Sequence, residues 1–447
     1  MAHALAGKPV QEQDIIDVQT IVDAYFDNVP DMTNPTQLVS FGTSGHRGTS
    51  VDGTFTDLHV AAITQAICDG RKQFGATGPI FVGQDTHALS QPALVTVLEV
   101  LAGNGVTAMV DCDMAFVPTP SVSRAIIRYN EEHDDKADGI IITPSHNPPD
   151  NGGIKYNTII GGPADTVVTK WIEMRANEYL TAYCESEDFK RISIDNIEPT
   201  AQVPYDYKGL YVEELGDVIN MEAIKAAGPK VLVDTLGGSG ASYWNTIKER
   251  YGLDLTIIHD EYDSTFSFMT YDHDGKVRMD CSSTYVMASV INRIGDFDLA
   301  VGNDPDYDRY GIVVSSGLIS ANTFLTLAAR YLFTTRGWKN KGVGKTVVCT
   351  TMIDKWAADA EIPVFEVPVG FKYFSQLLFD GAIGIGGEES AGASFLKKDG
   401  TVWTTDKDGM IMALLSMEIM AVMGKSALKM ADEFVEEFGN PSFGRID

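Results

Sequence analysis

The stretch Pro79–Asp111, PIFVGQDTHALSQPALVTVLEVLAGNGVTAMVD, decides the fold class. It opens on a short apolar run, PIFVGQD, which reads as a strand. A helical pattern follows, SQPALVTVLEVLAGNG, with Ser90 as the expected N-cap, Pro92 in the first turn and glycine as the stop. VTAMVD is then a second strand. The pattern continues with a helix over TPSVSRAIIRYNEEH, capped by Thr119 with Pro120 in its first position, and a strand over DGIIIT. Strands alternating with helices in this way predict a mixed or mostly parallel sheet with helices on both faces.

The same plan recurs twice downstream. KVLVDT, SYWNTIKERYG, DLTIIH, STYVMASVINRIG and DLAVGND form a second α/β set. A third begins near Leu318: TFLTLAARYLFTTRG, GKTVVCT, MIDKWAADA, FEVPVG, KYFSQLLFDG, AIGIGG and a long helical stretch after Asp408. The chain of 447 residues therefore divides into a polar, partly helical N-terminal arm (1–38) and α/β domains over 39–195, 208–315 and 318–440. NIEPTAQVPYDY (Asn196–Tyr207) is expected to be a linker, and 441–447 the start of another. Three domains agree with a prior of about 150 residues per domain.

Bulk properties exclude some functions. A net charge of −28 repels nucleic acid and anionic lipid, so neither is an expected partner. An anionic substrate would need a cation or a local basic pocket. Cys68, Cys112, Cys184, Cys281 and Cys349 are scattered without a C-x-x-C pair, as expected of reduced core thiols in the cytosol. The N-terminus carries no basic region followed by an apolar one, so no signal peptide is expected and a cytoplasmic location is. The most apolar window, Met410–Gly424, is short and carries Glu418; it reads as a buried helix. Nothing in the composition specifies an oligomeric state.

The chemistry gathers in loops after strands. In TPSHNPPDNGGIKYN, Ser145 stands beyond a buried strand, where open α/β sheets place their ligands, and Pro144, Pro148 and Pro149 stiffen its loop. His146 is its neighbour, but adjacent side chains in extended chain point apart, so it need not be the serine's base. In AVGNDPDYDRYG, Asp304, Asp306 and Asp308 alternate; in extended chain they would share one face and repel unless a hard cation, Mg²⁺ or Ca²⁺, sat among them. Arg309 follows, able to hold a phosphate oxygen. In IGIGGEESAGASF, Gly386 and Gly387 are expected to break a strand and project Glu388 and Ser390, groups suited to sugar hydroxyls. In SFGTSGHRGTS, glycines frame Arg47, which with backbone amides can cradle a phosphate. GVGKT is not a P-loop, because Lys339 stands where the first glycine belongs. VPVGFKYF supplies Lys372 after a strand. Together these residues specify phosphoryl transfer between a protein serine and a sugar phosphate, with Mg²⁺ offsetting charge. Lys155, set amid positive charge, is expected to have a pKa low enough to exchange the proton.

TPSHNP, DPDYDR, GEESAG and FGTSGHRG together resemble the α-D-phosphohexomutase superfamily, and the overall layout is most similar to its bacterial phosphoglucomutase branch. The likeness runs from about Val39 onward. It implies related α/β domains around an active-site cleft and makes Ser145 a phosphoserine, with Lys155, Arg47 and His146 as its catalytic neighbours. It implies Mg²⁺ held between Ser145 and Asp304, Asp306 and Asp308, with Arg309 alongside. It assigns the sugar to Glu388 and Ser390 and its orientation to Gly370, Phe371 and Lys372. The implied reaction interconverts glucose 1-phosphate and glucose 6-phosphate through glucose 1,6-bisphosphate, so small sugar phosphates are the expected partners.

One departure bears on activity. The family's fourth domain, which grips the non-reacting phosphate through an Arg-Pro-Ser-Gly-Thr type loop, has no counterpart in these residues, which stop at GNPSFGRID. Reduced turnover is therefore expected of this polypeptide, because remote binding energy orients the reacting end. Two other readings compete: a haloacid-dehalogenase-type phosphotransferase with Asp304 as nucleophile, and a sugar-phosphate binder without catalysis.

Overall fold

A computed structural model describes residues 2–42, 44–184, 189–338 and 340–439. The segment 441–447, expected to open a linker, lies outside the described residues.

The strand–helix alternation yields three mixed sheets. The first contains β1 (His46–Thr49), β2 (Ile80–Gln84), β3 (Ala108–Asp111), β4 (Asp138–Ile142), β5 (Asn151–Asn157) and β6 (Gln202–Tyr205) in the order β1-β5-β4-β2-β3-β6. β2 runs parallel to β3 and β4, whereas β5 is antiparallel to β1 and β4. The second contains β7 (Val231–Asp234), β8 (Leu255–Ile258), β9 (Leu299–Asn303), β10 (Tyr310–Val314) and β11 (Gly317–Leu318), ordered β11-β10-β9-β7-β8. The third contains β12 (Gly342–Thr346), β13 (Val364–Val367), β14 (Ile383–Gly387) and β15 (Ala393–Phe395), ordered β13-β12-β14-β15. The central strands are buried along their whole length, as the apolar runs require when helices cover both faces.

One apolar core joins the second and third units, running from Tyr211 and Trp244 to Phe374 and Phe434. Through it passes the helix Gly409–Met423, the apolar window read above; Asp408 caps it by accepting from Ile411 N, and Gly424 ends it at φ 62°. Its one charge, Glu418, is fully buried and paired with Arg336 at 2.6 Å and Tyr331 Oη at 2.8 Å. Among the described residues no single helix is long and apolar enough to cross a membrane; this helix and Ala427–Phe438 meet at a 77° bend.

Several local expectations differ from the structure, for physical reasons. Ser90 is not an N-cap: it begins the helix Ser90–Gly103 and spends its hydroxyl on Asp85 at 2.5 Å. Thr119 begins the helix Thr119–Glu132 without capping it and reaches Asp306 instead. Part of the expected linker is β6, which adds an edge strand to the first sheet. STYVMASVINRIG keeps only the helix Ala288–Ile291; its β-branched residues disfavour helix, and Ser289 bonds Asp234 at 2.7 Å. Gly386 and Gly387 continue β14 rather than breaking it, because both stay paired to the strands on either side; they are glycines because a Cβ would crowd Phe374 or Leu325. GKTVVCT overshoots its sheet: β12 ends at Thr346, and Val347 and Val348 are exposed. Lys345 pairs with Asp354 and Glu366, which agrees with rejecting a P-loop. Cys281 and Cys349 are buried thiols, but Cys112 is exposed, contrary to the expectation of core thiols throughout. Of the arm, only Val18–Asp27 is α-helical.

The arm's junction with the first sheet titrates. Thr56 N donates to His59 Nδ1 (3.2 Å) while His59 Nε2 faces the Gln37 carbonyl (2.8 Å), an arrangement that requires the neutral ring. Burial, with neighbouring His46, lowers the His59 pKa from 6.5 to about 4. The unfolded chain therefore binds the proton first as pH falls. Stability is complete above pH 6.5 and declines toward pH 4, by about 3 kcal/mol if this group alone acts. In urea melts, His59→Gln should be markedly less stable than the parent at pH 7.5, and the difference should shrink by pH 4.5.

Candidate active site

Each unit sends the loop after one central strand toward a common cleft. β4 leads to Ser145, β9 to Asp304 and β14 to Glu388. Each loop holds one non-glycine residue in the left-handed region: Ser145 (φ 61°), Tyr307 (φ 62°) and Ala391 (φ 67°). Such conformations cost of order 1–3 kcal/mol and persist where surroundings over-determine them. Around Ser145 the determinants are visible. Ser145 N donates to Thr143 Oγ1 at 2.7 Å, and Thr143 Oγ1 donates to Asp85 Oδ2 at 2.6 Å. Asp85 also takes bonds from Ser90 and His87, whose Nε2 meets the Asn147 carbonyl at 3.0 Å.

The serine and the aspartates meet. Ser145 Oγ donates to Asp304 Oδ2 at 2.8 Å, across 159 positions of sequence. The aspartates converge, but not as alternating residues of an extended strand. Residues 304–309 form a turn between β9 and β10, closed by Tyr307 N to Asp304 O at 2.9 Å. One oxygen from each of Asp304, Asp306 and Asp308 lies within 4.8 Å of the others, and all three residues are fully buried. Asp306 Oδ1 and Asp308 Oδ1 have no hydrogen-bond partner. Three buried carboxylates at this spacing, two of which keep a free oxygen, are the donor set a hard divalent cation requires.

Cations surround this group. Lys155 Nζ lies 2.6 Å from Asp306 Oδ2 and 3.1 Å from Asp308 Oδ2; Lys407 Nζ lies 2.7 Å from Asp308 Oδ2. Burial pushes the Asp304 carboxyl well above the usual carboxylate range, and its two neighbouring carboxylates add to the shift. Burial opposes ionisation of Asp308 as well, but Lys407 and Lys155 outweigh it and hold that group far below the usual range. Lys155 corrects an expectation. Burial would lower its pKa, and nearby Arg47 adds to that, but Asp306 and Asp308 outweigh both and the net shift is upward. The neighbour of Ser145 corrects another. With Ser145 left-handed, His146 turns back, placing Nδ1 3.3 Å from Ser145 Oγ. Burial, then Arg309, lowers the His146 pKa to about 3, so the ring is neutral.

Arg309 and Lys407, which flank the buried group, also line a cavity of about 520 Å³ together with Arg47, Glu388, Ser390, Ser40, Gly42, Ser44 and Gly45 among others. Arg47 stands on β1 opposite Gly153, its Nε buried and unpartnered. Gly45, at φ 81°, lets this strand approach: a Cβ there would sit 2.3 Å from the Ile154 carbonyl oxygen. Glu388 Oε1 accepts from Gly370 N at 3.1 Å, which ties the two sugar-loop candidates together. Phe371 does not reach the cavity; its ring is in the core beside Phe374, at a centroid distance of 5.3 Å. Lys372 lies over the Tyr373 ring and is not among the cavity's lining residues.

Some participants escape sequence reasoning. Lys407 precedes the helix cap Asp408 and looks like a solvated turn residue. Asp280 carries no local signal, yet its Oδ2 lies 3.4 Å from Arg309 Nη1 and 4.0 Å from His146 Nε2. Thr119, read as a cap, bonds Asp306 through both backbone (2.9 Å) and hydroxyl (3.1 Å).

Comparisons with known proteins agree with this assembly. The models for phosphoglucomutase/phosphomannomutase alpha/beta/alpha domains I, II and III match residues 38–182, 210–317 and 320–438. A phosphoglucomutase of Komagataeibacter xylinus is 47% identical over 99% of this chain and 80% of its own length. Phosphoglucomutase 1 of Saccharomyces cerevisiae is 28% identical over 91% of this chain and 74% of its own. The open form of the Paramecium phosphoglucomutase parafusin shares the fold, with TM-score 0.73 at 20% identity, over 92% of this chain and 76% of that one. With three domain models in register and nearly half of all residues shared with a full-length relative, the chain belongs to the phosphoglucomutase/phosphomannomutase family.

Proposed function

We propose that the chain is a phosphoglucomutase, interconverting glucose 1-phosphate and glucose 6-phosphate through phosphorylated Ser145 and glucose 1,6-bisphosphate. The observation that carries this reading is the 2.8 Å contact between Ser145 Oγ and Asp304, joined through Arg309 and Lys407 to a cavity lined by arginines and a sugar-type Glu/Ser loop. Ser145 with Asp304, Asp306 and Asp308 would hold Mg²⁺, which when bound offsets the negative charge of the transferring phosphoryl group. Arg47, Arg309, Lys155 and Lys407 supply fixed positive charge where the phosphates lie. Glu388 and Ser390 orient the sugar hydroxyls, with Gly370 held in place by Glu388. In the first half-reaction the bond from phosphorus to Ser145 Oγ breaks and a bond to the sugar hydroxyl oxygen forms. Neutral His146, beside Oγ, exchanges the protons that the two oxygens lose and gain, while Lys155, paired with Asp306 and Asp308, stays charged. The intermediate then reverses and returns its other phosphate to Ser145. The domain division 39–195, 208–315 and 318–440 is proposed with this reading, supported by the three separate sheets.

A coupled assay tests the reading. Glucose 1-phosphate, primed with glucose 1,6-bisphosphate and Mg²⁺, should yield glucose 6-phosphate faster than mannose 1-phosphate yields its isomer. Equal or inverted rates would contradict the glucose assignment.

A further inference from the structure

The N-terminal segment takes no part in the reaction above, yet it crosses the boundary between the two units that meet at Ser145. Val10 packs into the apolar core of the second unit and Ile16 into that of the first. From His3 to Asp14 the chain is pinned to one hairpin. Backbone bonds join His3 N to His273 O (2.8 Å), Gly7 N to Tyr271 O (2.8 Å), Tyr271 N to Lys8 O (3.0 Å) and Val10 N to Met269 O (3.0 Å). The Tyr271 hydroxyl closes a clasp, accepting from Gln11 N at 3.0 Å and donating to Asp14 Oδ2 at 2.5 Å. On the other side the segment is anchored to the first unit, where Ser50 Oγ donates to the Ile21 carbonyl at 2.7 Å and Tyr25 Oη meets Thr96 Oγ1 at 2.9 Å.

The clasped hairpin leads directly to the reacting serine. It closes through Tyr271 pairing with Val277 and Asp272 N bonding the Lys276 carbonyl at 2.8 Å. Its outgoing segment brings Met279 N to the His146 carbonyl at 3.2 Å and Asp280 to Arg309 and His146. We propose that residues 2–16 are a positioning strap: by clasping Tyr271 they hold the 271–280 hairpin against the serine loop, and so fix His146 and Arg309 at the reacting oxygen. The strap acts only through these residues and touches no substrate. Small displacements at a reacting centre are costly, so a loosened strap should reduce turnover more than binding.

This rests on the mutase reading, and the test separates the two. Tyr271→Phe keeps the buried ring but deletes both clasp bonds; Asp14→Ala removes one of them at an exposed position. In the full chain, each variant should lower kcat about tenfold with KM changed less than twofold. Hydrogen exchange at the Met279 amide should quicken in parallel, with the thermal midpoint little moved. Unchanged kcat in both variants, or a fall in kcat without faster exchange at Met279, would overturn the strap. If the unsubstituted chain shows no turnover and takes no phosphate on Ser145, the mutase reading fails and the positioning role with it. An active parent with unmoved variants overturns the strap alone.

Discussion

Ser145→Ala is expected to lower turnover of glucose 1-phosphate by at least about 10³-fold, because removing a covalent nucleophile removes the intermediate that divides the reaction into two steps. The fold should survive. Ser145 Oγ makes one strong bond, to Asp304, and losing it costs about 1 kcal/mol. The left-handed backbone is held by Ser145 N on Thr143 Oγ1, which alanine retains. Sugar-phosphate binding should change little, since Arg47, Arg309 and Glu388 line the cavity independently of the serine side chain. Calorimetry showing glucose 1-phosphate affinity preserved while the coupled assay falls to background would match this expectation. Turnover within tenfold of the parent would show that another group carries the phosphoryl.

The second large effect concerns the aspartates. With an oxygen from each of Asp304, Asp306 and Asp308 within 4.8 Å of the others, and Asp306 and Asp308 each keeping one unpartnered oxygen, the native chain should bind Mg²⁺ and the unfolded chain should not. At a concentration 100 times the dissociation constant, such binding adds about 2.7 kcal/mol of stability. Thermal melts with and without Mg²⁺ should therefore separate by several degrees, and a chelator should abolish turnover. Asp306→Asn keeps the side chain's shape while removing one negative charge; it should lose most of the Mg²⁺-dependent shift. Lys155 remains paired with Asp308 in that variant, so its melt without Mg²⁺ should stay close to the parent's. A shift of equal size in parent and variant would place the ion elsewhere.

How much of this was legible beforehand depends on the range of each signal. Strands such as Ile80–Gln84 and Asp138–Ile142 were readable because burial on both faces demands continuous apolar runs, and helices such as Ser90–Gly103 because their apolar pattern is local. The aspartate cluster was readable because three carboxylates in five residues repel whatever the backbone does, although the turn that gathers them was not. Ser90 and Thr119 were misassigned as caps for one reason: a hydroxyl before a helix has a local use in sequence, whereas here Asp85 and Asp306 compete for it in space. The Lys155 expectation failed likewise. Its partners lie 151 and 153 positions away, so the sign of its surroundings could not be seen from its neighbours. Asp280 and Lys407 are the extreme cases, defined only by contacts that folding creates.

The central claim is that Ser145 carries the phosphoryl group, and one measurement reaches it directly. The chain is incubated with glucose 1,6-bisphosphate and Mg²⁺, quenched in acid, digested and analysed by mass spectrometry. The account predicts one acid-stable phosphate on the peptide containing Ser145, absent in Ser145→Ala. An acid-labile phosphate on Asp304, or no phosphate on either residue, would contradict it.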